Sequence, residues 1–224
     1  MKNLLVIPSI LALISCGKMD NTTQLQSDPT QIESLDIHVK DTTVQFLWRD
    51  MKYDSALNDS FNSIFLNLEY VDIMEDPEKA ALGYVATFIG NECWWDGDAE
   101  EDRSNLDCKI ITALGLGYQC SDRHLGFLKE WFSDDPQVLA ELESANCPTT
   151  PYTATIQDTF DEIELTVKGD SIIVNYKVSA INFREQKNWE WSVADYFVVK
   201  GDKLMLINRD KSEVGQGRFD LTGG

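Results

Sequence analysis

Asp96, Asp98, Glu100, Glu101 and Asp102 place five carboxylates within seven residues, directly after Trp94-Trp95 and with Gly97 among them. Alternating oxygen ligands and a glycine are what a calcium loop requires. The fit is poor, because Gly97 falls at the second position of such a loop instead of the sixth and no glutamate stands at the twelfth. A glycosidase pair needs two carboxyls facing each other across a cleft, one of them with a raised pKa. Acids crowded into one loop supply neither the separation nor the burial. Two other readings stand beside calcium. One is a solvated loop whose charges repel. The other is a contact surface for a basic partner, with the carboxylates steering encounter and Trp94 and Trp95 giving the desolvated contact. No metal or cofactor is assigned.

Ser121-Asp122-Arg123-His124 carries the letters of a catalytic triad, but neighbours on one helical turn cannot align as nucleophile, base and orienter. Ser121 reads as a helix cap and His124 as a residue on the surface of that helix. His38, the other histidine, lies close to the polar N-terminal stretch, so imidazole base catalysis has few candidates. Trp189 and Trp191 share a strand face, where they could stack on a sugar, although core packing is the preferred reading. Strict alternation puts Asp195 on the same face. A bulge near Ala194 that turns the carboxylate outward is expected.

The cysteines point to an oxidising compartment. Met1 to Cys16 combines Lys2, an apolar run too short to span a bilayer, and a small residue before the cut, as in a secretory signal. Leu13-Ile14-Ser15-Cys16 resembles the lipobox of bacterial lipoproteins, in which the cysteine becomes the acylated (palmitate-bearing) first residue of the mature chain. With Cys16 lipidated, Cys93, Cys108, Cys120 and Cys147 remain, an even number without the spacing of a zinc site. If one helix spans Cys108 and Cys120, they lie roughly 18 Å apart, too far to bridge. Cys120 and Cys147 bracket a helical hairpin whose outer ends meet. The expected bridges are therefore Cys93–Cys108, closing the acidic loop, and Cys120–Cys147.

The chain has 224 residues and a formal charge of −19. An acidic balance of this size disfavours nucleic acid, which needs a cationic face, and gives no electrostatic hold on anionic lipid. The lipid on Cys16 is the expected membrane contact, and a cationic protein the partner such a surface would steer.

The expected organisation is a lipoprotein signal peptide over 1–15, a flexible tether over 16–35, a helical region with two disulfides over 36–150, an antiparallel sheet region packed on the helices over 151–210, and a flexible C-terminus over 211–224. Val44, Leu47, Trp48 and Met51 fit a helix face, with a strand as the alternative. Leu57, Phe61, Ile64, Phe65 and Leu68 repeat as an amphipathic helix. Asp76-Pro77, Ser121 and Asp135-Pro136 open further helices, and Ile110, Ile111 and Leu114 mark one ended by Gly115 and Gly117. Gly83 and Thr87 leave a lane for a crossing helix. After Pro148 the period becomes 2, and Gly169-Asp170 and Gly201-Asp202 are hairpin turns. From Arg209 onward the polar, glycine-rich composition predicts a frayed end. The fold class is α+β: a disulfide-braced helical first half, then an antiparallel meander of about four strands.

Leu82-Gly83-Tyr84-Val85-Ala86-Thr87-Phe88-Ile89-Gly90 resembles the Gly-Tyr helix of small exported immunity proteins that inhibit toxin peptidoglycan amidases. The resemblance continues through Tyr118-Gln119-Cys120-Ser121, Leu125 to Trp131, Pro136 and Val138 to Pro148, over about residues 80–148. The acidic loop, a shortened stretch after Pro136 and the β-rich half depart from those all-helical proteins. The resemblance implies a disulfide-braced inhibitor that binds a toxin and catalyses nothing. The expected function is thus a lipid-anchored protein outside the bacterial cytoplasm, in the periplasm at the outer membrane, acting by binding. The alternative is a small-ligand carrier or enzyme with a pocket between sheet and helices.

Overall fold

The computed structural model describes residues 41–89, 93–95, 106–145 and 155–218. Cys16, the signal and the tether lie outside them, as do Cys147 and Asp96, Asp98, Glu100, Glu101 and Asp102. In chain order the elements are β1 (Thr42–Asp54), β2 (Asp59–Leu66), α1 (Leu68–Val71), α2 (Asp76–Thr87), β3 (Cys93–Trp95), β4 (Leu106–Cys108), α3 (Lys109–Ala113), α4 (Asp122–Trp131), α5 (Pro136–Ser144), β5 (Ile156–Lys168), β6 (Ser171–Asn182), β7 (Lys187–Lys200) and β8 (Lys203–Arg218). Six strands form one antiparallel sheet in the order β2-β1-β5-β6-β7-β8, and β3 and β4 pair separately. No helix among the described residues is long and apolar enough to cross a membrane.

The expectation of a helical first half followed by a four-stranded meander is overturned. The segment holding Leu57, Phe61, Ile64, Phe65 and Leu68 is a hairpin, and Val44 to Met51 is its first strand. Asp54 Oδ1 accepts the N–H groups of Ala56 (2.8 Å) and Leu57 (3.3 Å), and Asn58 takes φ 50°, which turns the chain back on itself. β1 then pairs with β5 from Thr42↔Val167 to Leu47↔Ile163, and one extra residue is accommodated between Gln45 and Leu47. The helical spacing misleads because Phe61 and Phe65 also obey period 2, as do Ile64 and Leu66. A partner strand on the growing sheet decides between the two. Leu57 (71% exposed) and Leu68 (59%), the ends of the supposed stripe, reach no core.

β5 to β8 lie where the period-2 pattern puts strands, joined by Gly169-Asp170 and Gly201-Asp202, whose glycines take φ 60° and 64°. β8 does not stop at Arg209. It runs to Arg218, paired with Lys187, so the frayed end expected from Arg209 and the flexible tail expected from 211 begin too early. The first half of β7 needs a partner for its backbone groups, and an edge strand tolerates a polar, glycine-rich sequence.

One sheet face is the core. Ile172, Val174, Tyr176, Val178 and Ala180 of β6 are buried, while the residues between them are more accessible on the opposite face. α2 lies on the buried face, its Tyr84 ring meeting Phe132 (5.3 Å) and Phe197 (5.9 Å). Glu78 secures the start of α2 by accepting Glu75 N–H (3.4 Å) and the Tyr70 hydroxyl (3.0 Å), so the cap is Glu75 and not Asp76.

Candidate functional site

The base of the acidic loop is built from β3 and β4, in which Cys93 stands opposite Cys108, Trp94 opposite Asp107 and Trp95 opposite Leu106. Cys93 and Cys108 are bridged, with Cα atoms 4.0 Å apart. Gln119, not singled out as a site residue from the sequence, ties this base to α2. Its backbone N–H points at Cys108 Sγ (2.9 Å). Its side-chain amide donates to the carbonyls of Ala86 (3.1 Å), Thr87 (3.0 Å) and Ile89 (3.1 Å). The last carbonyls of a helix lack partners within it, so a buried amide there acts as a C-cap supplied from another part of the chain. The spacing of Gln119 from α2 carries no local signal of this. Cys120, at φ 61°, is also disulfide-bonded, and its partner lies outside the described residues.

His124 is not a helix-surface residue: it is 0% exposed. Its Nδ1 accepts Cys120 N–H (3.0 Å), so the proton sits on Nε2, which reaches Gly83 O (3.1 Å) and Thr87 Oγ1 (3.3 Å). Burial pushes its pKa down to about 4, so the ring is neutral near pH 7. The lane at Gly83 and Thr87 is what admits α4. A β-carbon at Gly83 would lie 3.0 Å from Leu116 Cδ1 and 3.3 Å from Leu128 Cδ2. Ser121 caps α4 by accepting His124 N–H (3.2 Å) and makes a long contact to Leu116 O (3.4 Å).

A second polar centre joins the sheet to α2 and α5. Asp195 is fully buried and points inward, so the bulge expected near Ala194 is absent. The register shifts of the β7–β8 ladder lie at Glu190/Trp191 and Tyr196/Phe197. Arg209, on the neighbouring strand, holds Asp195 in a two-pronged ion pair through Nε (2.6 Å) and Nη2 (2.9 Å). The same Nη2 donates to the Tyr84 hydroxyl (3.1 Å), which in turn donates to Glu141. Tyr176 donates to Asp195 at 3.4 Å. Burial, reinforced by the adjacent carboxylates, raises both tyrosines above the ordinary phenol value. The hydrogen bond to Asp195 raises Arg209 in the same direction. These groups therefore keep their protons near neutrality, and the centre is a fixed ionic clasp.

Comparison with protein-family models, curated proteins and solved structures finds no match.

Trp189 and Trp191 are neither a free stacking platform nor full core residues. Both are half-buried, and the Lys211 ammonium lies 5.2 Å from the Trp191 ring centre. A hollow of about 430 Å³ opens on the sheet face away from the helices, around Ala194 and Ser192. Glu162, Glu164, Asn175, Lys177 and Asp210 surround it. Asn175 and Glu164 pair with each other (3.4 Å), and Lys177 pairs with Glu190 (3.2 Å), which is not part of the lining. No cluster of potential metal ligands occurs among the described residues.

Proposed function

We propose that the chain is a lipid-anchored binding protein of the bacterial envelope that acts by occluding a secreted cell-wall hydrolase. The observation that carries this reading is the closed base of the acidic loop. The Cys93–Cys108 bridge stands within a strand ladder, and Gln119 fastens that ladder to α2. A loop carrying five carboxylates therefore starts and ends on a rigid platform, which lowers the ordering cost of binding. The ring contacts of Tyr84, Phe132 and Phe197 between sheet and helices also support a binding role over a carrier with an internal cavity. The lipid on Cys16 places the protein at a membrane outside the cytoplasm, with the outer membrane as the proposed address.

The test uses the exported full-length chain and a purified peptidoglycan amidase. Changing Asp96, Asp98 and Asp102 to Asn, and Glu100 and Glu101 to Gln, is expected to slow association about tenfold or more and flatten its salt dependence. Dissociation should change less. Absence of binding and inhibition by the parent protein would sink the reading. A rise in thermal stability on adding calcium, lost in the same variant, would reassign the loop to the ion. Cys16→Ser should release the protein from membranes. The open-face hollow favours a second reading, a site for a small polar ligand, which saturable stabilisation by such ligands, abolished by Ala194→Trp, would support.

A further inference from the structure

The two edges of the sheet are protected very differently. At β8, Asp135 Oδ2 accepts Leu206 N–H (3.0 Å), Lys203 reaches Glu130 O (3.3 Å), and Arg209, Asp210 and Lys211 follow with charge. Charges and covering groups are how proteins keep edge strands from pairing with other chains. At the opposite edge, β2 opens on Asp59 and then reads Ser60-Phe61-Asn62-Ser63-Ile64-Phe65-Leu66, with no further charge and no proline. Among the described residues nothing pairs with its outer side. Apolar side chains stand exposed on the same hairpin: Met51 and Tyr53 at 60% each and Phe61 at 43%.

The phase of the ladder says which backbone groups point away from β1. Asn67 donates its N–H to Phe46 O (2.9 Å), and the unbroken register from Leu47↔Leu66 to Asp54↔Asp59 continues that alternation. The polar groups of Phe61, Ser63 and Phe65 therefore face β1, and those of Ser60, Asn62, Ile64 and Leu66 point outward.

We propose that β2 is a homodimer edge, pairing antiparallel with β2 of a second copy about a two-fold axis at Ser63. In this register the outward residues meet as Ser60 opposite Leu66 and Asn62 opposite Ile64, so the outward groups of Asn62 and Ile64 and the Leu66 N–H find partners, while Ser60 N–H exchanges its present acceptor, Asp59 Oδ1 (2.7 Å), for the Leu66 carbonyl of the second copy. Phe61 falls opposite Phe65 of the second copy, extending the Trp48–Phe65 stack already present at 6.0 Å. Asp59 falls opposite Asn67, and no like charges meet. Moving the axis by one residue destroys this fit. At Asn62 it sets Asp59 against Phe65, and at Ile64 it leaves both phenylalanines against polar residues. The second copy is thus the occupant this edge is complementary to, and the pairing produces a closed, isologous contact that cannot propagate.

Sedimentation equilibrium of the full chain at micromolar concentration should give twice the single-chain mass. Ile64→Pro removes an outward N–H without touching a bond to β1, and is expected to weaken the dimer about tenfold or more while the thermal transition of the fold persists. Ser63→Cys should form an intermolecular disulfide on oxidation, because the residue opposes itself at a non-hydrogen-bonded position about 4.5 Å across. Ser60→Cys should not. A monomeric parent protein overturns the proposal, as does a dimer that Ile64→Pro leaves intact and Ser63→Cys does not cross-link. If Ile64→Pro fails to fold, the pair of cysteine variants decides.

Discussion

His124 and the Asp195–Arg209 pair are both polar groups sunk in the interface between sheet and helices, yet they are accommodated by opposite means. His124 is buried neutral, with each ring nitrogen facing a group from a different segment. Asp195 is buried charged, and its stability depends on a single guanidinium that is itself 35% exposed. A neutral ring costs little to bury while its hydrogen bonds are complete. A carboxylate costs several kcal/mol unless its countercharge stays in place. The ionic centre should thus be the more fragile to mutation and the histidine the more sensitive to acid.

The largest effect should come from removing the countercharge. Arg209→Met strands Asp195 and is expected to destabilise by about 3–5 kcal/mol in denaturant unfolding. Asp195→Asn should cost less, because Arg209 can turn to water. The double variant Arg209→Met/Asp195→Leu should recover most of the loss. If the two single variants are equal, the proposed asymmetry is wrong.

Acid should act through His124. Its folded pKa, about 4, lies below the unfolded value near 6.5, so the unfolded chain binds more protons between those limits. This contribution is fully present above about pH 6.5 and is lost as pH falls toward 4, roughly 3 kcal/mol in all. His124→Gln should flatten stability over that window. Retention of the full slope would assign it to other groups.

Gln119→Ala leaves three carbonyls at the end of α2 without their donor and should cost about 1–3 kcal/mol. Hydrogen exchange should quicken at that end of the helix and in β3–β4. The smallest change is Gly83→Ala. The added methyl presses the flexible ends of Leu116 and Leu128, while alanine favours the helix by up to about 1 kcal/mol, so the net effect should stay within about 1 kcal/mol. Gly83→Val, wider in the same lane, should shift α4 and raise the His124 pKa, which NMR titration would detect.

Local chemistry was legible where a residue's partner lies a few positions away. Ser121 and Asp135 cap their helices through the backbone N–H three residues on, and Gly169 and Gly201 open two-residue turns. The Cys93–Cys108 bridge was read by elimination, once Cys120 was set against Cys147. The candidate site was legible only at that base, since the five carboxylates lie outside the described residues. His124, Gln119 and Asp195 were misread or overlooked, because each takes its role from chain that is remote in sequence or crosses between strands.

The sequence by itself determined the Gly169-Asp170 and Gly201-Asp202 turns, the starts of α4 and α5, the period-2 strands after Pro148 and the acidic, cysteine-paired character of the chain. These follow from backbone sterics, capping and charge, which act over one or two turns. Only the tertiary structure decided that residues 42–66 are strands, that His124 is buried, and that Asp195 faces inward onto Arg209. A short apolar run satisfies both periods, and a polar side chain goes wherever its partners converge. The sheet edge offered by β5 and the lane at Gly83 are properties of the assembled fold, and they settle what local preference leaves open.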